Sequence, residues 1–264
     1  MGRILIFLYG VVSYVIFFLT FLYLIAFVGN FGGLPFVTKT IDSGVPGPVG
    51  EAVLINVAIL ALFGVTHTVM ARPWFKEKWT RIVPKAAERS TYVLVASLIL
   101  ILLFREWRPM PDAVWSVADP TWAMVLTGIY LAGYGIVLIS TFLINHFELF
   151  GLSHVLANLQ KKPPPRYRFV SPLFYKVIRH PLYFGWLVAF WVTPEMSVGH
   201  LLFALILTAQ ILISIPYEEA DIEGYLGEPY RQYKNRVPML IPFLKSKGGD
   251  AAVEPGGGHR PEPV

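Results

Sequence analysis

The chain has 264 residues, of which 55% are hydrophobic and 15% charged, against roughly 45–50% and about 25% in soluble domains. Mean hydropathy is +0.57, and the net charge of +5 is gathered in a few loops, which argues for a membrane protein and against a nucleic-acid surface. There is no cysteine, so a disulfide framework and a thiolate metal site are both excluded.

Leu5–Val28 is the first apolar run, long enough for a hydrocarbon core of roughly 30 Å at ~1.5 Å per residue. It is too long for a cleavable signal peptide and lacks a small-residue cleavage site. Asn30-Phe31-Gly32-Gly33-Leu34-Pro35 ends it, and Pro46-Gly47-Pro48 marks a loop. Further spans are expected over Val53–Met70, Ser90–Trp107 and Trp122–Ile144. A long polar loop then leads to two shorter runs, Leu182–Val192 and Val198–Ile215. The turn between them, Thr193-Pro194-Glu195-Met196-Ser197, admits only an antiparallel hairpin. Leu182–Val192 is short for a full crossing. The expected fold is all-α, a polytopic transmembrane bundle of about six spans. One domain over 1–244 precedes a disordered tail over 245–264, rich in Gly, Pro and charge.

Basic residues alternate with the loops. Arg72, Lys76, Lys78, Arg81, Lys85 and Arg89 follow the second run. Lys161, Lys162, Arg166, Arg168, Lys176 and Arg179 follow the fourth. Arg231, Lys234, Arg236, Lys245 and Lys247 follow the sixth. The opposite loops hold only Lys39, then Arg105 and Arg108, then none. The positive-inside rule places both termini in the cytoplasm, with Trp107, Trp115 and Trp122 as anchors at the outer interface and Trp74 and Trp79 at the inner one.

Ionisable groups inside a membrane domain are costly, so each invites a functional reading. Arg179-His180-Pro181 opens the fifth run and Tyr217-Glu218-Glu219 follows the sixth, so the hairpin returns both to one face. An arginine pairs bidentately with a carboxylate, and a glutamate accepts from an amine or a ribose hydroxyl. Together they can hold a zwitterion. Tyr183, Tyr217, Tyr225, Tyr230 and Tyr233 add aromatic faces for a base or a cation. Plainer readings stand beside this one: Pro at a first helical position is ordinary start chemistry, and Arg or His at an interface can anchor to lipid phosphate.

Arg179-His180-Pro181-x-Tyr183-x-Gly185, the hairpin, Glu218-Glu219, Gly227-x-x-Tyr230-x-x-Tyr233 and the basic Arg236-Val237-Pro238 end resemble the integral-membrane methyltransferases related to isoprenylcysteine carboxyl methyltransferase and phospholipid N-methyltransferases. The resemblance implies an S-adenosylmethionine site in the half spanning 145–242. Arg179, His180, Pro181, Tyr183, Gly185, Tyr217, Glu218, Glu219, Tyr230, Tyr233 and Arg236 are its implied ligands. Thr66-His67-Thr68-Val69-Met70-Ala71-Arg72-Pro73, Arg89-Ser90-Thr91-Tyr92 and Phe142-Leu143-Ile144-Asn145-His146-Phe147-Glu148-Leu149-Phe150-Gly151-Leu152 resemble the bacterial methanethiol S-methyltransferases. These belong to the larger group similar to the denitrification protein NnrU. That resemblance implies methyl transfer from S-adenosylmethionine to methanethiol, releasing dimethyl sulfide, in a bacterial inner membrane.

Such a transfer is an in-line displacement, where alignment of the reactants supplies up to ~7–11 kcal/mol. It also needs a thiolate, and free cysteine-like thiols titrate near ~8.5. His146 is the candidate base, oriented by Asn145 or Glu148; its plainer reading is an interfacial residue at a helix end. His67 is the alternative, or else a satisfied core histidine. Phe142, Phe147, Leu149 and Phe150 would line a narrow pocket. One methylene in such a pocket is worth only ~1–3 kcal/mol, so hydrogen sulfide is a further acceptor. The expected partners are a small volatile thiol and the surrounding lipid, with no nucleic acid and no metal. Three rivals remain at this stage: a methyltransferase acting on a lipid or prenyl-cysteine, a non-enzymatic accessory protein with structural ion pairs, and a haem protein using His67 and His146.

Overall fold

Each of the six apolar runs forms a helix. The computed structural model describes residues 2–165, 170–242 and 244; Arg166, Arg168, Lys245, Lys247 and the expected disordered tail at 245–264 lie outside them. The elements in order are α1 (Gly2–Val28), α2 (Val49–Ala71), α3 (Pro73–Trp79), α4 (Glu88–Glu106), β1 (Ala113–Ser116), α5 (Pro120–Ile144), α6 (His146–Leu149) and α7 (Leu152–Leu159). A short 3-10 turn (Leu173–Lys176) leads to α8 (Pro181–Trp191), β2 (Glu195–Ser197), α9 (Val198–Leu226) and α10 (Glu228–Arg236).

Four helices, α1, α2, α5 and α9, are long and apolar enough to cross a membrane. Helices suit that medium because every backbone polar group is satisfied within the segment. Their outward faces carry Leu5, Leu54, Val65 and Met124, each exposed by 63–71%, a surface that water would penalise and lipid does not. α4 has 19 residues and is bounded by Glu88-Arg89 and Arg105-Glu106. α8 has 11 residues, about 16 Å at 1.5 Å per residue.

Local chemistry sets the ends. Asp119 caps α5 by accepting from the Trp122 amide, with Pro120 at the first helical position, and Ser197 caps α9 by accepting from the His200 amide. Asn145, at φ 114°, breaks α5 from α6. The predicted hairpin is present, and its turn also pairs β2 antiparallel with β1. α9 runs past the expected end at Ile215, through Pro216 as far as Leu226. Proline removes one backbone hydrogen bond there, yet the next two turns are held by side chains, so Tyr217, Glu218 and Glu219 ride on a helix.

Two features fix the framework. α5 and α8 pack closely where Gly133 and Gly185 meet: a methyl on Gly185 would stand 2.7 Å from the Gly133 carbonyl oxygen. Small residues permit such backbone approach between membrane helices. At the far end, Trp107 is fully buried and its indole donates to the Ile41 carbonyl at 2.9 Å. It is therefore a core residue, not the expected lipid anchor, because its polar atom is satisfied inside; Trp115 and Trp122 do remain exposed.

Candidate active site

Glu218 and Glu219 are successive helical residues, so ~100° of rotation separates them, and they meet different neighbours. Glu219 is buried. It accepts from Arg179 Nε at 2.7 Å, lies 3.1 Å from His180 Nε2, and is 3.2 Å from Lys234 Nζ. Arg179 Nη1 also donates to the carbonyls of Lys234 (2.8 Å) and Val237 (2.6 Å). The backbone amides of Arg179 and His180 donate to the Pro238 and Met239 carbonyls. These bonds tie the start of α8, the end of α9 and the segment after α10 into one unit. Tyr233 belongs to it too: its hydroxyl donates to the Tyr175 carbonyl at 2.6 Å, and burial pushes its phenol up to about 12. Tyr230 is buried beside it, and burial likewise raises its phenol above the ordinary range.

Glu218 turns elsewhere. One of its oxygens accepts from the Tyr183 hydroxyl at 2.7 Å, and its charge is felt by both Tyr92 and Tyr183. Tyr92 opens α4 and its hydroxyl lies 2.9 Å from His67 Nε2 in the last turns of α2. The His67 side chain is exposed, with Phe63 stacked on its ring at 5.2 Å. α2, α4, α8 and α9 each bring one polar side chain, His67, Tyr92, Tyr183 and Glu218, into a polar cluster at this end of the bundle. At the same end Arg72 reaches Asp221 at 2.7 Å. Burial, with Arg89 and Arg72 nearby, holds Lys76 below the usual lysine range. A separate groove of about 310 Å³, lined by Leu5, Ile6, Tyr9, Val83 and Pro84, is almost wholly apolar and carries no charged group.

His146 lies apart from this polar cluster and is closed in, with 3% of its surface exposed. Phe142 stacks on its ring at 4.2 Å, and Phe147 and Phe150 flank it. Thr141 sends its only hydroxyl proton to the Leu138 carbonyl, so its oxygen accepts from His146 Nδ1–H at 2.8 Å. Nε2 is then left to accept from the Tyr14 hydroxyl at 2.8 Å. Burial keeps the imidazole below the usual histidine range. Asn145 and Glu148 do not orient it; the Asn145 amide donates to Glu148 Oε2 at 2.7 Å.

The remaining sequence candidates are scattered. Pro181 and Gly185 are buried in α8, with Gly185 against α5. Tyr217 is 57% exposed, and Arg236 donates to the Gln232 carbonyl on its own helix. Sequence reasoning passed over Tyr92, Tyr14 and Thr141 as site residues. For Tyr92 a signal existed, an aromatic one turn into a helix opened by Glu88-Arg89. Nothing in the sequence separates Tyr14 from the other tyrosines of α1.

Fold and site together define an integral membrane protein whose helical bundle holds a polar cluster at one end. No family model matches the chain, and no solved structure matches it. Among curated proteins it is 51% identical to methanethiol S-methyltransferase 1 of Bradyrhizobium diazoefficiens, over 91% of this chain and 83% of that one. It is 47% identical to methanethiol S-methyltransferase 2 of the same organism, over 92% of each chain. Its identity to the methanethiol S-methyltransferase of Mycobacterium tuberculosis is 45%, over 92% of this chain and 98% of that one. The chain belongs to the methanethiol S-methyltransferase family.

Proposed function

We propose that this protein transfers a methyl group from S-adenosylmethionine to methanethiol, releasing dimethyl sulfide, at the cytoplasmic side of a bacterial inner membrane. The observation that carries this reading is the polar cluster of Glu218, Tyr183, Tyr92 and His67, in a chain 51% identical to a named methanethiol S-methyltransferase.

The residues of the cluster suit a cationic methyl donor. Glu218 offers a carboxylate with one oxygen held by Tyr183 and the other without a protein partner among the described residues. Tyr183 and Tyr92 offer ring faces, which attract a cation electrostatically. When bound, S-adenosylmethionine supplies a methyl carbon activated by a sulfonium. Arg179, His180 and Glu219 satisfy one another, which leaves Glu218 and Tyr183 as the members of the motif that meet the donor. Pairing a fixed carboxylate with a sulfonium excludes neutral analogues more than it tightens binding.

The basic loops lie at the end of the bundle that holds this cluster, since Arg72, Lys76, Arg89 and Arg179 all gather there. By the positive-inside rule that end faces the cytoplasm, where a charged donor is available. The thiol is small and apolar enough to arrive through the bilayer.

A headspace assay of detergent-purified protein, given S-adenosylmethionine and methanethiol, tests this reading. Dimethyl sulfide is expected from the wild type and not from Glu218→Gln. Binding of S-adenosylhomocysteine without any dimethyl sulfide would redirect the search to lipid acceptors. Neither binding nor product would remove the enzyme reading.

A further inference from the structure

We propose that Tyr92 and His67 form the pair that deprotonates the thiol, Tyr92 Oη taking the proton from sulfur while its own proton passes to His67 Nε2. This rests on the proposed thiol methyl transfer and supplies the group that starts it.

The geometry carries it. The phenol oxygen and Nε2 stand 2.9 Å apart, within the reach of a direct proton transfer. The two rings are 5.0 Å apart at 39°, and Phe63 stacks on the imidazole at 5.2 Å. The imidazole is exposed, whereas His146 is shut among aromatic rings with both nitrogens engaged. His67 can therefore meet a substrate and His146 cannot.

Charged groups from several elements stand close to the pair. Arg89 lies over the Tyr92 ring at 5.6 Å, held there because its Nε donates to the Leu149 carbonyl at 2.9 Å. A cation over an aromatic face is attracted to it electrostatically. The other charges acting on Tyr92 are Glu88 from α4, Arg72 from the end of α2 and Glu218 from α9. Tyr183 of α8 shares Glu218 with it.

The step balances. The S–H bond breaks and an O–H bond forms on Tyr92, while the original O–H bond breaks and an N–H bond forms on His67. Sulfur keeps its electron pair and uses it for the new carbon–sulfur bond. The pair of the broken carbon–sulfur bond stays with the departing sulfur. The proton on the exposed His67 then leaves to water.

The test uses full-length Tyr92→Phe and His67→Ala in detergent beside the wild type. Thermal stabilisation by S-adenosylhomocysteine is expected to persist in both, showing that fold and donor site are intact. At neutral pH, dimethyl sulfide formation at saturating donor is expected to fall about 10²–10⁴-fold, the usual contribution of a positioned acid–base group. Raising the pH should recover Tyr92→Phe, because solution then supplies thiolate, and added imidazole should recover His67→Ala. Full neutral-pH activity in either variant would overturn the pair. So would a loss that neither alkali nor imidazole restores, since that marks a structural role. A wild type that makes no dimethyl sulfide would instead sink the proposed function, so the two failures are told apart.

Discussion

Arg179 Nε donates to Glu219 Oε1 at 2.7 Å, with the two side chains only 8% and 6% exposed. Charges this far from water are held by each other, and removing one strands the other. Breaking such a pair typically costs about 3–5 kcal/mol. Glu219→Ala should therefore lower the thermal midpoint sharply in detergent, with or without ligand. The double variant Arg179→Met/Glu219→Met should lose less than the two single changes combined.

Gly185→Ala probes a different contact. Its new methyl would meet the Gly133 carbonyl oxygen at 2.7 Å and the Val137 amide nitrogen at 2.9 Å, so α5 and α8 must separate. Overpacking of this kind costs roughly 1–3 kcal/mol. A lower melting temperature with proportionate weakening of S-adenosylhomocysteine binding is expected. Lost binding at an unchanged melting temperature would instead put Gly185 in the donor site.

Tyr183→Phe removes the hydroxyl that aims Glu218. A hydrogen bond to a charged group contributes about 1.5–3 kcal/mol, equivalent to roughly ten- to a hundredfold in an equilibrium constant. KM for S-adenosylmethionine should rise by that order in a titration of initial rates, with KM for methanethiol little changed. The reverse pattern would move Tyr183 to the acceptor side.

His146 gives a pH test of stability. Burial holds its pKa below the ordinary value of 6.5, so between the two values the unfolded chain binds more protons than the folded one. Stability then rises with pH across that window; its share is complete above about 6.5 and is lost as the pH falls toward the folded value. Melting curves at pH 7.5 and 5.5 should show the wild type losing more on acidification than His146→Gln. Equal losses would place the imidazole in contact with water.

The cysteine-free chain makes orientation simple to test. Val45 is 91% exposed in the loop before α2, and Lys85 is exposed in the basic loop before α4. In intact cells a membrane-impermeant maleimide should label Val45→Cys, and should reach Lys85→Cys only after lysis. The opposite pattern would invert the proposed topology.

The helices were legible in the sequence because a bilayer imposes a one-dimensional rule: about twenty apolar residues must follow one another to cross it. Each run from Leu5–Val28 to Val198–Ile215 became a helix, and the turn at Thr193–Ser197 became a hairpin. The cluster of Arg179, His180 and Glu219 was legible too, since the hairpin returns its ends to one face. What the sequence alone could not do was sort neighbours by direction. Glu218 and Glu219 look equivalent in one dimension, and rotation about α9 buries one against Arg179 and turns the other to Tyr183. The sequence puts His146 ahead of His67 as a base, and packing alone closes Phe142 and Tyr14 over His146 while leaving His67 exposed. Tyr92 meets His67 from 25 residues away, a contact that depends on how α2 and α4 pack rather than on any spacing within either helix.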